Sequence, residues 1–515
     1  MQPWAASVLA VTTAPEEIAL RAAPDRGPVR TYGDLRTGAA RFARWLLDRP
    51  TPVRQVAVVA EAHPDAVIAY LGIAAAGLTV LHVNDRLSGP EIDELFALAE
   101  PQVIVATEAT ADTVRPIARQ RRAELVLVGT PAQDGEHDFA GVTTTGDGDP
   151  VRLDVDPDAA AIIAFTSGTT GRPKGVVHTH GGLHRILKEM PTLLGLRHRD
   201  RCAFSGTLSF PGGVWGVIMP HLMLGASISF VAGMPVPEWI DFMAADRSTF
   251  TYLPSPLFPA FTEEIRPRPE VLASLRTIFH SGSRVPAGHV SALTAVVGGR
   301  YTESYGLTET GAPITGTVPS DWDDLARAEA MSESAGRPMP FLTVRVVDGS
   351  GGVLGPGEDG EIEVRSPTLL AGYLRTDGSV SDPRTPGGWF ATGDIGRLDA
   401  AGYLYVTDRA KDMIVTGGMN VFPAEVERAI ALLDGIAEVA VFSVADPRWG
   451  EAVTAAVVAH PGVELSESRV IEHVRTRLAS YKKPTRVHFV PELPRNANAK
   501  VLRGQLREMF TGARA

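Results

Sequence analysis

Short β-rich runs alternate with helical stretches along most of this sequence, and the alternation limits the folds open to it. Helical periodicity appears at Arg36 to Leu47, Pro90 to Leu98 and Gly181 to Leu193. Because neighbouring parallel strands need a crossover connection, the alternation predicts an α/β fold of mostly parallel sheets with crossover helices. The strand candidates are Gln55 to Val59, Val103 to Ala106, Leu125 to Val128, Ile162 to Phe165, Ser227 to Val231 and Thr277 to His280.

The pattern changes twice towards the end of the chain. Thr343 to Val347 and Gly360 to Val364 are strand-like and flank a glycine-rich turn, which predicts a small antiparallel β unit. After Asp408 a separate run of strands and helices extends to Val490, with a helix expected at Pro423 to Leu432. We therefore predict a large N-terminal domain, residues 1–408, and a small α+β C-terminal domain, residues 409–515.

Residues 166 to 175 read Thr-Ser-Gly-Thr-Thr-Gly-Arg-Pro-Lys-Gly. Glycine lets the backbone turn where a Cβ would clash, hydroxyl and amide groups donate hydrogen bonds, and Arg172 and Lys174 supply positive charge. This composition is typical of a polyphosphate-binding segment, although the spacing differs from the Walker pattern, in which Gly-Lys is followed by Ser or Thr. A surface turn of small residues is the alternative. The apolar run Ala159 to Phe165 before the segment and Gly175 to His178 after it favour two flanking strands.

The charge balance argues against nucleic acid as a partner. The chain carries 60 acidic and 49 basic residues, a formal net charge of −11, whereas nucleic-acid binding needs a concentrated basic surface. The single cysteine, Cys202, allows no internal disulfide, and we expect it to be a small buried hydrophobe in a cytoplasmic protein. The apolar stretch Ala66 to Val83 contains Gly77 and His82, so a buried helix and strand are expected there rather than a membrane span.

Further motifs follow the 166–175 segment along the chain. They are Tyr305-Gly-Leu-Thr-Glu309, Thr392-Gly-Asp394, Asp408-Arg-Ala-Lys-Asp412, Gly417-Gly-Met-Asn-Val-Phe-Pro-Ala-Glu-Val-Glu427 and Pro494-Arg-Asn-Ala-Asn-Ala-Lys500. In content and order, these segments resemble the motifs of the adenylate-forming superfamily, which includes acyl-CoA synthetases, peptide-synthetase adenylation domains and beetle luciferases. The resemblance implies the superfamily fold, with a large N-terminal AMP-binding domain, a small β subdomain and a small mobile C-terminal lid.

The resemblance implies ATP-dependent activation of a carboxylic acid to an acyl-adenylate, with release of pyrophosphate and transfer of the acyl group to a thiol. Met413 to Glu427 is more similar to CoA ligases than to peptide-synthetase domains, and free CoA is the leading acceptor in an expected freestanding enzyme. An adenylating enzyme that loads a carrier protein or another nucleophile is the alternative, and a non-catalytic nucleotide-binding relative is a further one. ATP, Mg²⁺ and CoA are the implied cofactors, a small carboxylic acid is the implied partner, and a monomer or homodimer is expected.

The same resemblance assigns roles to individual residues. The implied catalytic residues are Lys500, Glu309, Thr166 and Lys174. Lys500 would bridge the acid and the α-phosphate, and Glu309 would hold Mg²⁺ directly or through water. Further nucleotide and CoA contacts are expected at Ser167, Gly168, Thr169, Thr170, Gly171, Ser281, Gly282, Tyr305, Gly306, Thr308, Asp394, Arg409, Lys411, Gly417 and Gly418.

Two C-terminal segments are expected to govern motion and access. Lys411 resembles the hinge about which the lid turns, which would withdraw Lys500 and bring Gly417-Gly418 forward as a narrow passage for a phosphopantetheine arm. A tight turn alone could also explain the paired glycines. Ala499 departs from the family, which usually has glycine before this lysine, so the Lys500 loop is expected to lie slightly differently.

The acid pocket carries another departure from the family. Phe210-Pro211 stands where many of its CoA ligases have an aromatic–histidine pair, which leaves His221 and His280 as candidates for a polar contact. His178 and His180 are spaced like metal ligands, but without a third nearby ligand a structural role is expected. Large aromatic residues favour an aromatic or compact acid over a long acyl chain, although each could equally belong to the core. The residues assigned to the pocket are Phe210, Gly212, Trp215, Tyr252, Gly282, Gly306 and Gly311.

Overall fold

The computed structural model of the protein contains two compact units. The first comprises Met1–Val344 and Val364–Phe390, and the second comprises Arg345–Glu363 and Ala391–Ala515. The domain boundary predicted after residue 408 stays a prediction, and the expected hinge Lys411 lies outside the described residues. The structure describes residues 1–22, 27–129, 132–167, 173–322, 328, 331–409, 412–416, 419–446, 450–478, 480–496 and 500–511.

The helices and strands alternate as the sequence predicts, with ends that differ by a few residues. The strands of the described residues are β1 (Ile18–Ala22), β2 (Val29–Thr31), β3 (Gln55–Val59), β4 (Thr79–Val83), β5 (Val103–Thr107), β6 (Glu124–Val128), β7 (His137–Asp138), β8 (Ala160–Ser167), β9 (Pro173–Thr179), β10 (Arg201–Phe204), β11 (Ser227–Phe230), β12 (Phe250–Tyr252), β13 (Thr277–Ser281), β14 (Tyr301–Tyr305), β15 (Thr315–Gly316), β16 (Arg337–Pro338), β17 (Thr343–Val347), β18 (Gly360–Arg365), β19 (Gly372–Leu374), β20 (Val380–Ser381), β21 (Phe390–Leu398), β22 (Leu404–Arg409), β23 (Ile414–Thr416), β24 (Met419–Val421), β25 (Ile436–Asp446), β26 (Gly450–Ala459) and β27 (Arg486–Phe489). The helices are α1 (Ala6–Leu9), α2 (Tyr32–Leu47), α3 (Pro64–Ala75), α4 (Gly89–Ala99), α5 (Glu108–Arg121), α6 (Phe139–Thr144), α7 (His180–Leu193), α8 (Pro211–Gly213), α9 (Met219–Met223), α10 (Val236–Asp246), α11 (Phe258–Ile265), α12 (Pro269–Ser274), α13 (Ala287–Val297), α14 (Pro423–Ala431), α15 (Glu467–Arg475) and α16 (Arg503–Thr511).

Mostly parallel sheets build the first unit, which confirms the predicted α/β fold. One sheet has the order β16-β15-β14-β13-β12-β10-β11-β1-β2, and the other has the order β20-β19-β9-β8-β4-β3-β5-β6-β7. Antiparallel pairs lie towards the sheet ends, where β2 pairs with β1, β14 with β15, β15 with β16, and β9 with both β8 and β19. The polar segment after β8 is therefore flanked by two antiparallel strands, as the sequence predicts.

Burial on both faces explains the apolar runs of the central strands. Val56 to Val59 in β3 and every residue of β5 are buried, as expected for parallel strands covered on both sides by helices. Local signals fix the helix starts. Thr31 caps α2 by accepting the Asp34 N–H, while the Asp34 carboxylate accepts the Thr31 N–H. Cys202 is buried, which raises the pKa of its thiol and fits the predicted packing role.

The second unit has its own sheets and core. Its strands follow the orders β17-β18-β21-β22 and β24-β23-β26-β25, with β27 added parallel to β26. The apolar face of α14 packs on the second of these sheets, with Val426 and Ile430 buried against Val441 and Val453. Throughout the described ranges, no helix has the length and apolar character needed to cross a membrane.

Candidate active site

Thr166 and Lys174 lie opposite each other at the start of the polar segment. β8 and β9 pair antiparallel up to this point, with Thr166 opposite Lys174 and Ser167 opposite Pro173. The Lys174 ammonium lies 5.0 Å from the centroid of the Tyr373 ring. The predicted phosphate contacts Gly168, Thr169, Thr170 and Gly171 lie outside the described residues, as does Arg172. The strands therefore bring a hydroxyl and an ammonium group to the base of the segment.

Backbone contacts fix the turn that carries Glu309. Thr308–Thr310 is a single 3₁₀ turn after β14. The carbonyl oxygen of Thr308 lies 2.7 Å from Nε2 of His178, and that of Glu309 accepts the Leu370 N–H at 2.8 Å. The Thr310 carbonyl accepts the Thr368 hydroxyl at 2.9 Å. Three consecutive carbonyl groups are thus held, which fixes the backbone of the turn at Glu309.

Tyr373 contacts the Glu309 carboxylate. Its hydroxyl donates to Oε1 of Glu309 at 3.1 Å, and within the described residues no other hydrogen bond or ion pair involves that carboxylate. Tyr373 lies more than sixty positions from Glu309 in the sequence, and it was not among the predicted site residues. Its pairing with a motif glutamate has no local sequence signal.

The histidines with metal-like spacing have structural surroundings. Burial lowers the pKa of His178, which contacts the Thr308 carbonyl, and lowers the pKa of His180 to about 4. In the described part of the chain, no group of three His, Cys, Asp or Glu side chains could hold a metal ion. His178 therefore supports the Glu309 turn as a neutral imidazole.

Tyr305 and Gly306 mark a reversal of the chain after β14. The Tyr305 carbonyl accepts the Ile314 N–H at 2.7 Å. A Cβ at Gly306 would lie 3.1 Å from the Cα of Pro313 and 3.2 Å from the Ala312 carbonyl oxygen. Close backbone approach thus favours glycine at residue 306, directly after Tyr305 at the end of its strand.

Several predicted pocket residues meet around the Phe210 ring. The ring lies 6.3 Å from that of Tyr252, and a Cβ on Gly212 would lie 2.6 Å from its tip. Gly282, at φ +93°, would place a Cβ 3.1 Å from the same tip. Ser281 joins the group, because its carbonyl accepts the Tyr252 hydroxyl at 2.8 Å. A Cβ at either glycine would press on the Phe210 ring, and the positive φ of Gly282 also favours glycine there.

Trp215 and Gly311 lie apart from the Phe210 group. Trp215 is 4% exposed and packs its ring edge-on against Tyr70 and His82, in the core of the first unit. Gly311, at φ +68°, would place a Cβ 2.7 Å from the Thr368 carbonyl oxygen, behind the Glu309 turn. Their pocket roles stay predictions, and the surroundings of Trp215 match the core alternative.

The two remaining histidine candidates already contact the backbone. The ring nitrogen Nδ1 of His221 lies 2.8 Å from the Val217 carbonyl, and burial lowers the pKa of His221 to about 4. His280 contacts the carbonyls of Leu253 and Ser283 at 2.8 and 2.7 Å. Both histidines are therefore used in holding the chain.

A π-helical turn, Val214–Ile218, follows Phe210 and joins α8 to α9. The Met219 N–H bonds to the Val214 carbonyl, five residues back. Pro220 explains the wider turn, because it has no N–H to donate to the Gly216 carbonyl and would break an α-helical ladder. Such turns are frequent at functional sites.

In the second unit, Asp394 and Arg409 lie opposite each other on β21 and β22. Asp394 is 2% exposed, and its N–H donates to the Thr392 hydroxyl at 3.1 Å. The Thr392 hydroxyl in turn donates to the Ile362 carbonyl at 2.7 Å. The strand pairing thus brings the two predicted ribose contacts to one place.

Lys500 is exposed at the end of a closed loop. Its N–H donates to the side-chain oxygen of Asn496 at 2.9 Å, and its carbonyl accepts the Asn496 N–H at 2.9 Å. Arg495 and Val501 form a β-bridge at the base of the loop. Ala499 lies outside the described residues, as do Gly417 and Gly418. The loop is held through the backbone of Lys500.

An ion-pair network supports the helix after Lys500. Arg503 in α16 contacts Glu427 at 2.7 Å and donates to the Val441 carbonyl at 3.0 Å. Asp412 lies 3.6 Å from both Arg503 and Arg507. The spacing of Arg503 and Arg507 places both on one helix face, yet their partner Asp412 is far away in the sequence and was not predicted.

Glu303, on β14, is a partly buried residue that the sequence did not single out. Burial raises its pKa to about 7, and the Tyr301 hydroxyl donates to it at 2.5 Å. In the unfolded chain Glu303 ionises near its ordinary value of 4.5. Between pH 4.5 and about 7, Glu303 keeps a proton in the folded state that it has lost in the unfolded state. The contribution of Glu303 to folding stability is therefore full at low pH and is lost as the pH rises through about 7.

We therefore expect Glu303→Gln to flatten the pH dependence of stability. Relative to wild type, the variant should gain at most about 3 kcal/mol between pH 5 and pH 8, because the glutamine side chain would carry no charge to bury. The thermal unfolding midpoint of both proteins at the two pH values measures the effect. Glu333→Gln, at an exposed position, is the control, and an equal pH response in wild type and Glu303→Gln would contradict the assignment.

The chain is similar to known proteins over most of its length. A model of the AMP-binding enzyme family matches residues 9–374, and a model of the C-terminal domain of AMP-binding enzymes matches residues 425–500. Feruloyl-CoA synthase of Amycolatopsis sp is 33% identical over 487 residues, covering 94% of each chain. The long-chain-fatty-acid–CoA ligase FadD13 of Mycobacterium tuberculosis is 33% identical over 460 residues, covering 86% of this chain and 85% of the relative. The crystal structure of ATP-bound MatB from Rhodopseudomonas palustris has a TM-score of 0.89 and 28% identity, covering 99% of each chain.

Proposed function

Because the chain belongs to the AMP-binding enzyme family and is an AMP-forming acid–CoA ligase, we propose that its acid substrate is aromatic or otherwise compact. ATP and CoA are the other substrates. The observation that carries the proposal is the position of the Phe210 ring, which fills the space between Gly212 and Gly282 and lies near Tyr252. A flexible long acyl chain would have to displace that ring.

The names of the relatives do not distinguish between an aromatic or compact acid and a long-chain acid as the substrate. The name of one relative specifies a feruloyl group, which is aromatic, and the name of the other specifies long-chain fatty acids, at the same 33% identity. The choice therefore rests on the pocket. An aromatic acid can stack on Phe210 and Tyr252 in the offset or tilted geometry that aromatic rings prefer.

The proposed reaction has two steps. A carboxylate oxygen of the acid attacks the α-phosphorus of ATP, and the bond from that phosphorus to the β-phosphate oxygen breaks, releasing pyrophosphate. The CoA sulfur then attacks the acyl carbon, the bond to AMP breaks, and the thiol proton goes to solvent. Negative charge develops on the α-phosphoryl oxygens in the first step, so cations and oriented donors are needed there. Lys500 and Lys174 supply the charge, and Thr166 and Thr308 supply hydroxyl groups.

Glu309 is the proposed protein ligand of Mg²⁺. Its turn is fixed, its carboxylate has one identified partner, Tyr373, and the described residues contain no multi-carboxylate cluster. This donor set fits an ion that takes one or two carboxylates and completes its shell with water and phosphate oxygens. When bound, Mg²⁺ neutralises charge on the phosphate oxygens. Asp394, which is buried opposite Arg409, is the proposed acceptor for the ribose hydroxyls.

Pyrophosphate release tests the proposal. Purified protein is assayed with ATP and a panel of aromatic, short aliphatic, hydroxy, amino and long-chain acids, each with and without CoA. We expect kcat/KM for the best aromatic or compact acid to exceed that for long-chain acids by about 10-fold or more, with an acyl-CoA product identified by mass. Preference for a long-chain acid would contradict the proposal. Pyrophosphate release without acyl-CoA formation would point to a carrier protein or another nucleophile.

Phe210→Ala is expected to shift the acid preference. Removing the ring opens the space over Gly212 and Gly282, so kcat/KM should fall about 10-fold for the best compact acid and rise for bulkier acids. The ratio of the two values, measured by pyrophosphate release, is the readout. Phe489→Ala, at a 42% exposed residue of the second unit, is the matched control. An unchanged ratio in Phe210→Ala would show that Phe210 does not line the acid pocket.

A further inference from the structure

We propose that Tyr373 is a positioning residue whose ring face holds the Lys174 ammonium and whose hydroxyl holds the Glu309 carboxylate, so that both charges stay available to the Mg²⁺–polyphosphate end of ATP. The inference rests on the proposed roles of Lys174 and Glu309. It adds a residue outside the motifs that suggested those roles.

The strand pairing places Tyr373 beside Lys174. β19 pairs antiparallel with β9, and Tyr373 lies opposite Val176. Lys174 is two residues from Val176 on the same strand, so its side chain emerges on the same face of the sheet. A diagonal neighbour at this spacing is within reach of an aromatic ring and a long side chain. The ammonium nitrogen lies 5.0 Å from the ring centroid, a distance typical of a cation–π contact.

The other end of Tyr373 reaches the Glu309 turn. The hydroxyl donates to Oε1 of Glu309 at 3.1 Å. The ring itself is half-buried and packs on the apolar cluster that contains Val176, Leu370 and Phe390. One rigid side chain therefore contacts both charged groups.

This arrangement keeps the two charges apart. Among the residues that the structure describes, Lys174 forms no ion pair with Glu309 at 4 Å or less. A direct pair would neutralise both groups and would have to break before either could bind ATP or Mg²⁺. The aromatic ring instead attracts the cation with its face and the carboxylate with its polar edge group. Tyr373 thus holds the Lys174 ammonium and the Glu309 carboxylate in place while both groups keep their charge for binding ATP and Mg²⁺.

Nucleotide binding to the full chain tests the inference. Isothermal titration calorimetry measures ATP affinity at a series of Mg²⁺ concentrations, without acid or CoA. In Tyr373→Phe, which keeps the ring and loses the donor, the Mg²⁺ concentration for half-maximal ATP affinity should rise about 3- to 10-fold. The KM for the acid should not change. Tyr373→Leu, which loses the ring face as well, should weaken ATP binding further at saturating Mg²⁺.

Tyr405 supplies a matched control. Its hydroxyl contacts Asp399 at 3.4 Å, and the Arg397 guanidinium lies 5.3 Å from its ring centroid, so it has the same pair of contacts in the second unit. Tyr405→Phe should bind ATP like wild type. An unchanged Mg²⁺ dependence in Tyr373→Phe would overturn the inference while leaving the proposed function standing. A wild-type chain that neither binds ATP nor releases pyrophosphate would overturn both.

Discussion

Lys500→Ala is expected to reduce acid-dependent pyrophosphate release by about 10²- to 10³-fold or more, while thiolation of a supplied acyl-adenylate by CoA continues. The first step brings two anions together, and removing the cation that bridges them costs at least as much as removing one oxyanion donor. In the second step AMP leaves, and the rate of this step depends less on the bridging cation. Pyrophosphate release and acyl-CoA formation, measured separately, report the two steps.

The structure makes this variant specific. Asn496 contacts the N–H and the carbonyl of Lys500, and Lys500→Ala keeps both of these backbone groups. Lys483, a partly exposed lysine of the same unit whose ammonium donates to the Ser480 carbonyl, gives the control Lys483→Ala. If adenylation by Lys500→Ala remained within a few-fold of wild type, Lys500 would not be the bridging residue.

Glu309→Gln is expected to lower the rate of pyrophosphate release by about 100-fold at low Mg²⁺, with partial recovery as Mg²⁺ is raised. Glutamine keeps the shape of the side chain and can accept the Tyr373 hydroxyl, but it removes the charge that attracts the ion. The rate is measured against Mg²⁺ concentration at saturating ATP. Glu108→Gln, at an exposed position on the same unit, should behave like wild type. Equal Mg²⁺ curves for Glu309→Gln and wild type would rule out the metal role.

Strand ends show how far the fold could be predicted from sequence. β3 begins and ends where Gln55 to Val59 predicts, because a parallel strand buried on both faces has an apolar run with sharp limits. β8 extends to Ser167, beyond the predicted end at Phe165. Its last residues are polar and pair with β9 at the base of the polar segment, residues 166–175. Hydrophobic patterning does not detect such polar pairs. The other antiparallel pairs at the sheet edges are likewise not detected by hydrophobic patterning.

The candidate site divides in the same way. Motif residues such as Glu309 and Lys500 could be predicted because their spacing along the chain is distinctive. The contact of Tyr373 with Glu309 and that of Asp412 with Arg503 could not, since these partners are distant in sequence and meet only through strand pairing or helix packing. The surroundings of Trp215 match the core alternative that its sequence position also allowed, and its pocket role stays a prediction. Composition alone cannot tell which way a side chain points.

The π turn at Val214–Ile218 has a consequence for aligning this chain with others. A π turn accommodates one residue more than an α-helix of the same rise. Deleting one residue there would restore an α-helical turn and leave the segments on either side in register. A homologue that lacks Pro220 and is one residue shorter at this point would therefore still place its counterpart of Phe210 against its counterpart of Gly282. An alignment gap of one position at this turn thus does not by itself mark a change of substrate.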